Sequence, residues 1–310
     1  MMTRGPLGRD EGAVIQAEAH KAVSARVSPL TRRAVAPNPG PFTYTGTCSY
    51  IVGNGDVAII DPGPDDPRHV EALLASIGGE RLRYVLVTHT HRDHSPAARA
   101  LKELTGAIIA GCAPYMPSES RRLDAPNFDA AHDPIYAPDI VLRHGDTLEI
   151  GDASLVALAT PGHTTNHLCF ALAKEQALFT GDHVMAWATT VIAPPDGSMG
   201  AYMASVEQLR GRGDRIYWPG HGEPVHDPQR FLRALLHHRR AREAAILQRL
   251  ELGDETIAEI VAHIYEGVDK RLHLAAAMTA LAHLEDLISR GLVDCGGQPV
   301  LQARFSPRRG

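Results

Sequence analysis

Cysteine is scarce and scattered in this chain. Its four cysteines (Cys48, Cys112, Cys169 and Cys295) form no Cys-x-x-Cys pair. That excludes a disulfide-framed scaffold and a cysteine zinc finger, and it points to a reducing, cytoplasmic setting. Cys169, between Leu168 and Phe170, reads as a buried core thiol. Aromatic residues make up only 5%, with two tryptophans. No apolar run approaches the roughly 20 residues of a membrane-spanning helix, so no membrane partner is expected. Met1–Asp10 is not followed by the apolar core of a signal peptide. Neither sign of charge dominates, and a net charge of -5 gives no overall pull toward nucleic acid or an anionic membrane.

What remains is a globular composition, 44% apolar and 22% charged over 310 residues, long enough for one large domain or two. The excess is in histidine, with 17 residues. It is concentrated in Thr88–Ser95, which reads Thr-His-Thr-His-Arg-Asp-His-Ser. The preceding Arg83–Val87 has the β-branched, apolar character of a buried strand. Ser95-Pro96 opens a helix over Ala97–Leu104, with proline tolerated in the first turn. His89, His91, Asp93 and His94 therefore share a strand-to-helix loop that can turn all four side chains into one space. Imidazole nitrogen and carboxylate oxygen in that density suit a divalent metal, zinc first, with iron or manganese able to replace it.

Four more strand ends carry histidine or aspartate. Thr43–Val52 and Asp56–Ile60 read as a hairpin through Gly53-Asn54-Gly55 that ends in Asp61-Pro62-Gly63. Asp61 there either opens a turn or serves a neighbouring histidine. Asp152–Leu158 runs into Pro161-Gly162-His163-Thr164, Ala177–Phe179 into Gly181-Asp182-His183, and Arg215–Trp218 into Pro219-Gly220-His221. Residues 112–139 are rich in Pro, Asp and Ser, and a loop of that length is expected over or beside the site. His132 and His144, without a motif around them, read as surface or supporting residues. Val184–Ser198, with Trp187, Thr189 and Thr190, reads as a pocket rim, its residues packing more than touching. Tyr202 begins the next helix and could reach in. His183 could donate to substrate or only pack, and His167 reads as structural or supporting.

Thr-His-x-His-x-Asp-His after a strand, followed in order by His163, Asp182 and His221, resembles the signature of the metallo-β-lactamase superfamily. The resemblance implies an α/β fold, an αββα sandwich of two mixed sheets. It implies that His89, His91 and His163 hold one metal, that Asp93, His94 and His221 hold a second, and that Asp182 is shared. It gives Asp61 the role of accepting an N–H from a ligand histidine. It implies hydrolysis by a hydroxide between two Zn2+, with Asp93 able to accept the nucleophile's proton. The cysteine ligand of the classical β-lactamases of this fold is absent, since Asp182 stands at that strand end, which argues against a lactam substrate.

Downstream, Asp227–Leu252 reads as a long helix rich in Arg and His. Helices follow at Ile257–Tyr265, after the capping run Asp254-Glu255-Thr256, and at about Leu274–Arg290, and then a hairpin of Leu292–Cys295 with Val300–Ala303 around Gly296-Gly297. Helix, helix and wing resemble a small winged-helix module, and with the catalytic pattern the chain resembles the β-lactamase-like protein 2 group. The expected organisation is an extension at 1–33 with a short helix at Gly12–Val23, a catalytic domain at 34–226, a connecting helix at 227–254 and a winged-helix-like domain at 255–310. The module is near neutral, and its presumed recognition helix (Ala275, Ala276, Ala277, Met278, Leu281, Leu284, Leu287) offers little to phosphates. Duplex DNA is therefore not an expected partner. Packing, substrate covering or assembly of a homo-oligomer suits it better.

Three functions stay open at this level: hydrolysis of an ester or thioester such as an acyl-glutathione or acyl-carrier conjugate, cleavage of single-stranded RNA, and a winged-helix regulator. The short interval between Asp182 and His221 leaves no room for the large inserted domain of the RNA-processing branch.

Overall fold

Alternation of apolar side chains along the strands builds two sheets with a shared core. The computed structural model describes residues 24–117, 131–267 and 272–308. The helix expected at Gly12–Val23 lies outside them. The first sheet has seven strands in sequence order: β1 (Ala25–Arg26), β2 (Thr31–Val35), β3 (Cys48–Asn54), β4 (Asp56–Ile60), β5 (Arg81–Val87), β6 (Ile108–Gly111) and β7 (Ile140–Val141). Pairing is antiparallel from β1 to β4 and parallel from β4 to β7. The second sheet runs β12-β11-β10-β9-β8, from Ile216–Pro219, Ala177–Gly181, Leu168–Leu172, Ala153–Ala159 and Thr147–Ile150.

Phe170, Phe179 and Trp218 of the second sheet join Ile51, Val85 and Leu86 of the first in one buried cluster between the sheets. Their chain neighbours Cys169, Leu178 and Tyr217 point the other way and pack under helices. A strand buried on both faces needs this unbroken apolar run. On the first sheet lie α1 (Pro67–Ile77) and α2 (Ala97–Thr105). Asp66 caps α1 by accepting from Arg68 N, with Pro67 in its first turn. On the second sheet lie α3 (Met199–Arg210) and the first half of α4 (Pro228–Glu251), through Tyr202, Val206, Leu209, Leu232 and Leu236.

The second half of α4 enters a third cluster with α5 (Ile257–Ile264), α6 (His273–Ser289), β13 (Val293–Cys295) and β14 (Phe305–Pro307). Thr256 and Glu259 form a capping box at the start of α5.

Two sequence expectations are corrected. Residues 24–33 are not irregular: β1 and the start of β2 add two strands to the first sheet, where Thr31 is fully buried and Arg32 pairs with Glu80. The wing also has a different register. Cys295 pairs with Phe305 and Val293 with Pro307, so the second strand lies beyond Val300–Ala303. Burial of the Phe305 ring in the module core, at 1% exposure, outweighs a tight Gly-Gly turn.

Candidate metal centre

The site sits where strand ends of both sheets meet. β5 delivers Thr88–Ser95, β9 delivers His163, β11 Asp182 and β12 His221. All seven expected residues come together in two groups: His89, His91, His163 and Asp182, and Asp93, His94 and His221. Within each group one donor atom per residue lies within 4.8 Å of the others. The glycines before two of these residues have a steric reason. A Cβ at Gly220 would stand 2.6 Å from Asp182 Oδ1 and 2.7 Å from His94 Cε1. One at Gly162 would stand 2.3 Å from the Tyr202 backbone.

Four of the five histidines are oriented by a partner behind them. Asp61, in the left-handed region at φ 50°, accepts from Thr88 N at 2.8 Å, from Thr88 Oγ1 at 2.8 Å and from His94 Nδ1–H at 2.9 Å. With its proton given to Asp61, the Thr88 hydroxyl accepts His89 Nδ1–H at 2.9 Å. His163 Nδ1–H donates to Val191 O at 2.8 Å and His221 Nδ1–H to Gly46 O at 3.3 Å. These bonds leave the Nε2 lone pairs of His89, His94, His163 and His221 facing inward.

The inward-facing ring nitrogens crowd one another. His94 Nε2 and His221 Nε2 lie 3.3 Å apart, and His91 Nδ1 lies 3.0 Å from His89 Nε2 and 3.1 Å from His163 Nε2. Asp182 Oδ1 is buried without a hydrogen-bond partner among the described residues. Ring nitrogens and carboxylates gathered this closely suit a shared cation, and the N/O donor set fits zinc or a similar divalent ion.

Electrostatics divide the groups. Burial, and then the neighbouring imidazoles, push His89 well down and His91 to about 3, so both are neutral donors. Burial would lower His94 and His221 too. Asp93, Asp182 and Asp61 outweigh it at His94, which rises well above its ordinary value, and Asp182 and Asp93 raise His221 to about 9. In turn, burial would raise the carboxyls of Asp93 and Asp182, but the adjacent histidines hold both well below the usual range.

Two aromatic contacts flank the mouth. Tyr44, half exposed, stacks on Trp187 with ring centroids 5.1 Å apart, and Trp187 lies against Gly222, next to His221. On the other side Tyr115 stacks on His132 at 3.6 Å, and His132 packs on His91 at 4.7 Å.

A model of the metallo-beta-lactamase superfamily matches residues 43–221. The chain belongs to the metallo-β-lactamase superfamily. A beta-lactamase associated winged helix domain matches residues 256–298. The chain is 30% identical to an atrochrysone carboxyl ACP thioesterase from Aspergillus fumigatus, over 85% of this chain and 81% of that one. It is 31% identical to a protein of the same name from a Cryptosporiopsis species, over 73% of this chain and 64% of that one's length. A metallo-beta-lactamase family protein from Thermus thermophilus superposes with a TM-score of 0.71 at 25% identity, covering 91% of this chain and all of that one.

Within this superfamily site, the supporting residues are placed as follows. His132, expected at the surface or in support, is buried against His91, bonds Thr90 Oγ1 at 2.9 Å and faces Asp196 at 3.4 Å. Thr190 does more than pack, since its Oγ1 donates to Asp182 O at 2.7 Å. Tyr202 lies behind the site, fully buried, and donates to His183 O at 3.0 Å. His183 is fully buried against Tyr202 and is pushed down to about 3, first by burial and then by His163 and Arg239. That placement agrees with a packing role. His144 is exposed, and His167 packs behind His89 at 5.1 Å. Of the 112–139 loop, residues 112–117 and 131–139 are described, and they bring Tyr115 and His132 beside the site as expected.

Proposed function

We propose that this metal-dependent hydrolase acts on thioesters, with an acyl group carried on a phosphopantetheine arm as its substrate class. The observation that carries the reading is the inward convergence of two His/Asp groups around buried lone pairs, read beside the thioesterase names of its relatives. His89, His91 and His163 would hold one ion, Asp93, His94 and His221 a second, with Asp182 between them. Ions at these positions supply the positive charge that polarises a carbonyl and makes water a nucleophile at neutral pH.

The chain's own residues do the rest. Asp61, Gly46 and Val191 hold the imidazoles in one tautomer and orientation. The Asp93 carboxylate, 26% exposed against 10% for Asp182, is the more open of the two, which supports it as the proton acceptor. Tyr44 and Trp187 present an apolar lip to an acyl group. Residues 227–254 would connect the two matched regions. No helix among the described residues is long and apolar enough to cross a membrane, and the four free cysteines fit a cytoplasmic enzyme.

The test is thiol release from acyl-phosphopantetheine and acyl-glutathione and acid release from simple esters, with end-labelled single-stranded RNA in parallel, for the parent and His91→Ala. Thiol release by the parent alone, with about two ions per chain, is expected. RNA cleavage by the parent without thiol release would replace this reading by a nuclease.

A further inference from the structure

Arg239 is 3% exposed near the middle of α4. A buried guanidinium ordinarily faces a carboxylate, yet no ion pair to Arg239 is found among the described residues. Its Nη2 donates instead to the carbonyl of Thr190, and its plane lies over the Tyr202 ring at 5.0 Å. A buried cation held on a single backbone carbonyl gives that carbonyl unusual weight.

Thr190 and Val191 face the site with everything else they have. Thr190 Oγ1 donates to Asp182 O at 2.7 Å and also reaches His183 O at 3.1 Å. Val191 O accepts His163 Nδ1–H at 2.8 Å. Two residues of the first group, His163 and Asp182, are thus set by one dipeptide, and that dipeptide is anchored from α4. The same loop touches the C-terminal core through Ala193. Behind Arg239, His283 of α6 is buried with neither ring nitrogen bonded among the described residues, and burial together with Arg239 pushes it to about 3.

We infer that Arg239 is a positioning residue for the His89–His91–His163–Asp182 group, acting through the Thr190–Val191 backbone, so that the helix leading into the winged module is part of the metal centre. The carbonyl bond to Arg239 fixes the peptide whose next carbonyl orients His163 and whose side chain orients Asp182. Without it the dipeptide can rotate, and both donors lose their aim. The inference rests on the dinuclear reading above, and the experiment separates the two.

Metal-free protein is titrated with Co2+, following the d–d absorption and the binding isotherm, for the parent, Arg239→Met and Leu209→Ala. Leu209 is a fully buried residue near the C-terminal end of α3 that makes no side-chain hydrogen bond, and it controls for general loss of stability. The parent should take up two ions. Arg239→Met should bind one of them ~10–100-fold more weakly, the range for loss of an orienting partner. Leu209→Ala should lower the melting temperature while keeping the parent isotherm. A parent that binds no ion would sink the dinuclear reading itself. A parent-like isotherm for Arg239→Met, or an equal loss of affinity in Leu209→Ala, would overturn the inference alone. Should Arg239→Met fail to fold, Arg239→Lys is titrated in its place. It keeps the charge and replaces the fork by one donor. A loss of threefold or more supports the inference, and a parent-like isotherm overturns it.

Discussion

His163 and Asp182 are held from the second sheet's outer layer, through a loop pinned by α4. His94 and His221 are held from the first sheet, by Asp61 at the end of β4 and by Gly46 in the β2–β3 connection. His163 and Asp182 are therefore braced from the side of the molecule opposite the one that braces His94, His221 and, through Thr88, His89. The two halves of the centre differ in character as well. The first half combines three histidines with one buried carboxylate, while the second has Asp93, a quarter exposed, at its edge. The contrast suggests a deep half that sets geometry and an open half next to substrate. It also explains why one fold needs bracing at both ends: neither sheet alone can orient all seven donors.

The strongest way to break the comparison is to remove what the halves share. Asp182→Ala should lose ions from both groups and lower kcat/KM by ~1000-fold or more. Metal analysis showing two retained ions would mean that the carboxylate does not join the halves. Next is Gly220→Ala, whose methyl would press on Asp182 and His94 together. A displacement of about 1 Å at reacting groups costs on the order of 100-fold in rate. A variant with parent kinetics would show that the close approach at Gly220 is not functional.

A finer cut is made at Asp61, which holds His94 directly and His89 through Thr88. Asp61→Asn keeps an oxygen for Thr88 N but sets an NH2 against the N–H of His94, and asparagine tolerates the left-handed backbone there. Affinity for one ion should fall ~10–100-fold by titration. An unchanged isotherm would remove Asp61 from the bracing of the second half. Smallest is Trp187→Ala, which strips Tyr44 of its stacking partner. KM for an acyl substrate should rise ~2–10-fold at unchanged metal content, the worth of one aromatic pair. A change in metal content instead would place Trp187 in the bracing rather than in the lip.

The seven donors were legible because each is a histidine or aspartate in a turn motif after a strand, and because ends of several strands can meet in one space. What braces them was legible only in part. Asp61 stood in a recognisable turn. Val191 acts through its backbone carbonyl, which every residue has, so no side chain advertises it. Arg239 lies in a helix whose many arginines all look like a solvated face, and only burial distinguishes it. His132 has no local motif and comes to His91 through the return of a long loop. Strand β2 was hidden because Arg32 and Arg33 break its apolar alternation, although Arg32 is satisfied by Glu80 at the sheet margin. The wing register depended on which aromatic finds the core, a tertiary matter that turn chemistry does not encode.

Because the donors come from both sheets, with Thr88–Ser95 on one and His163, Asp182 and His221 on the other, each ion would act as a rivet through the sandwich. Free metal then enters the folding equilibrium of the chain as well as its activity. At a hundredfold excess over the dissociation constant, each rivet would add about 2.7 kcal/mol. Chelation should therefore lower the melting temperature in proportion to the logarithm of free ion, and abundance in a metal-poor cell would fall along with turnover.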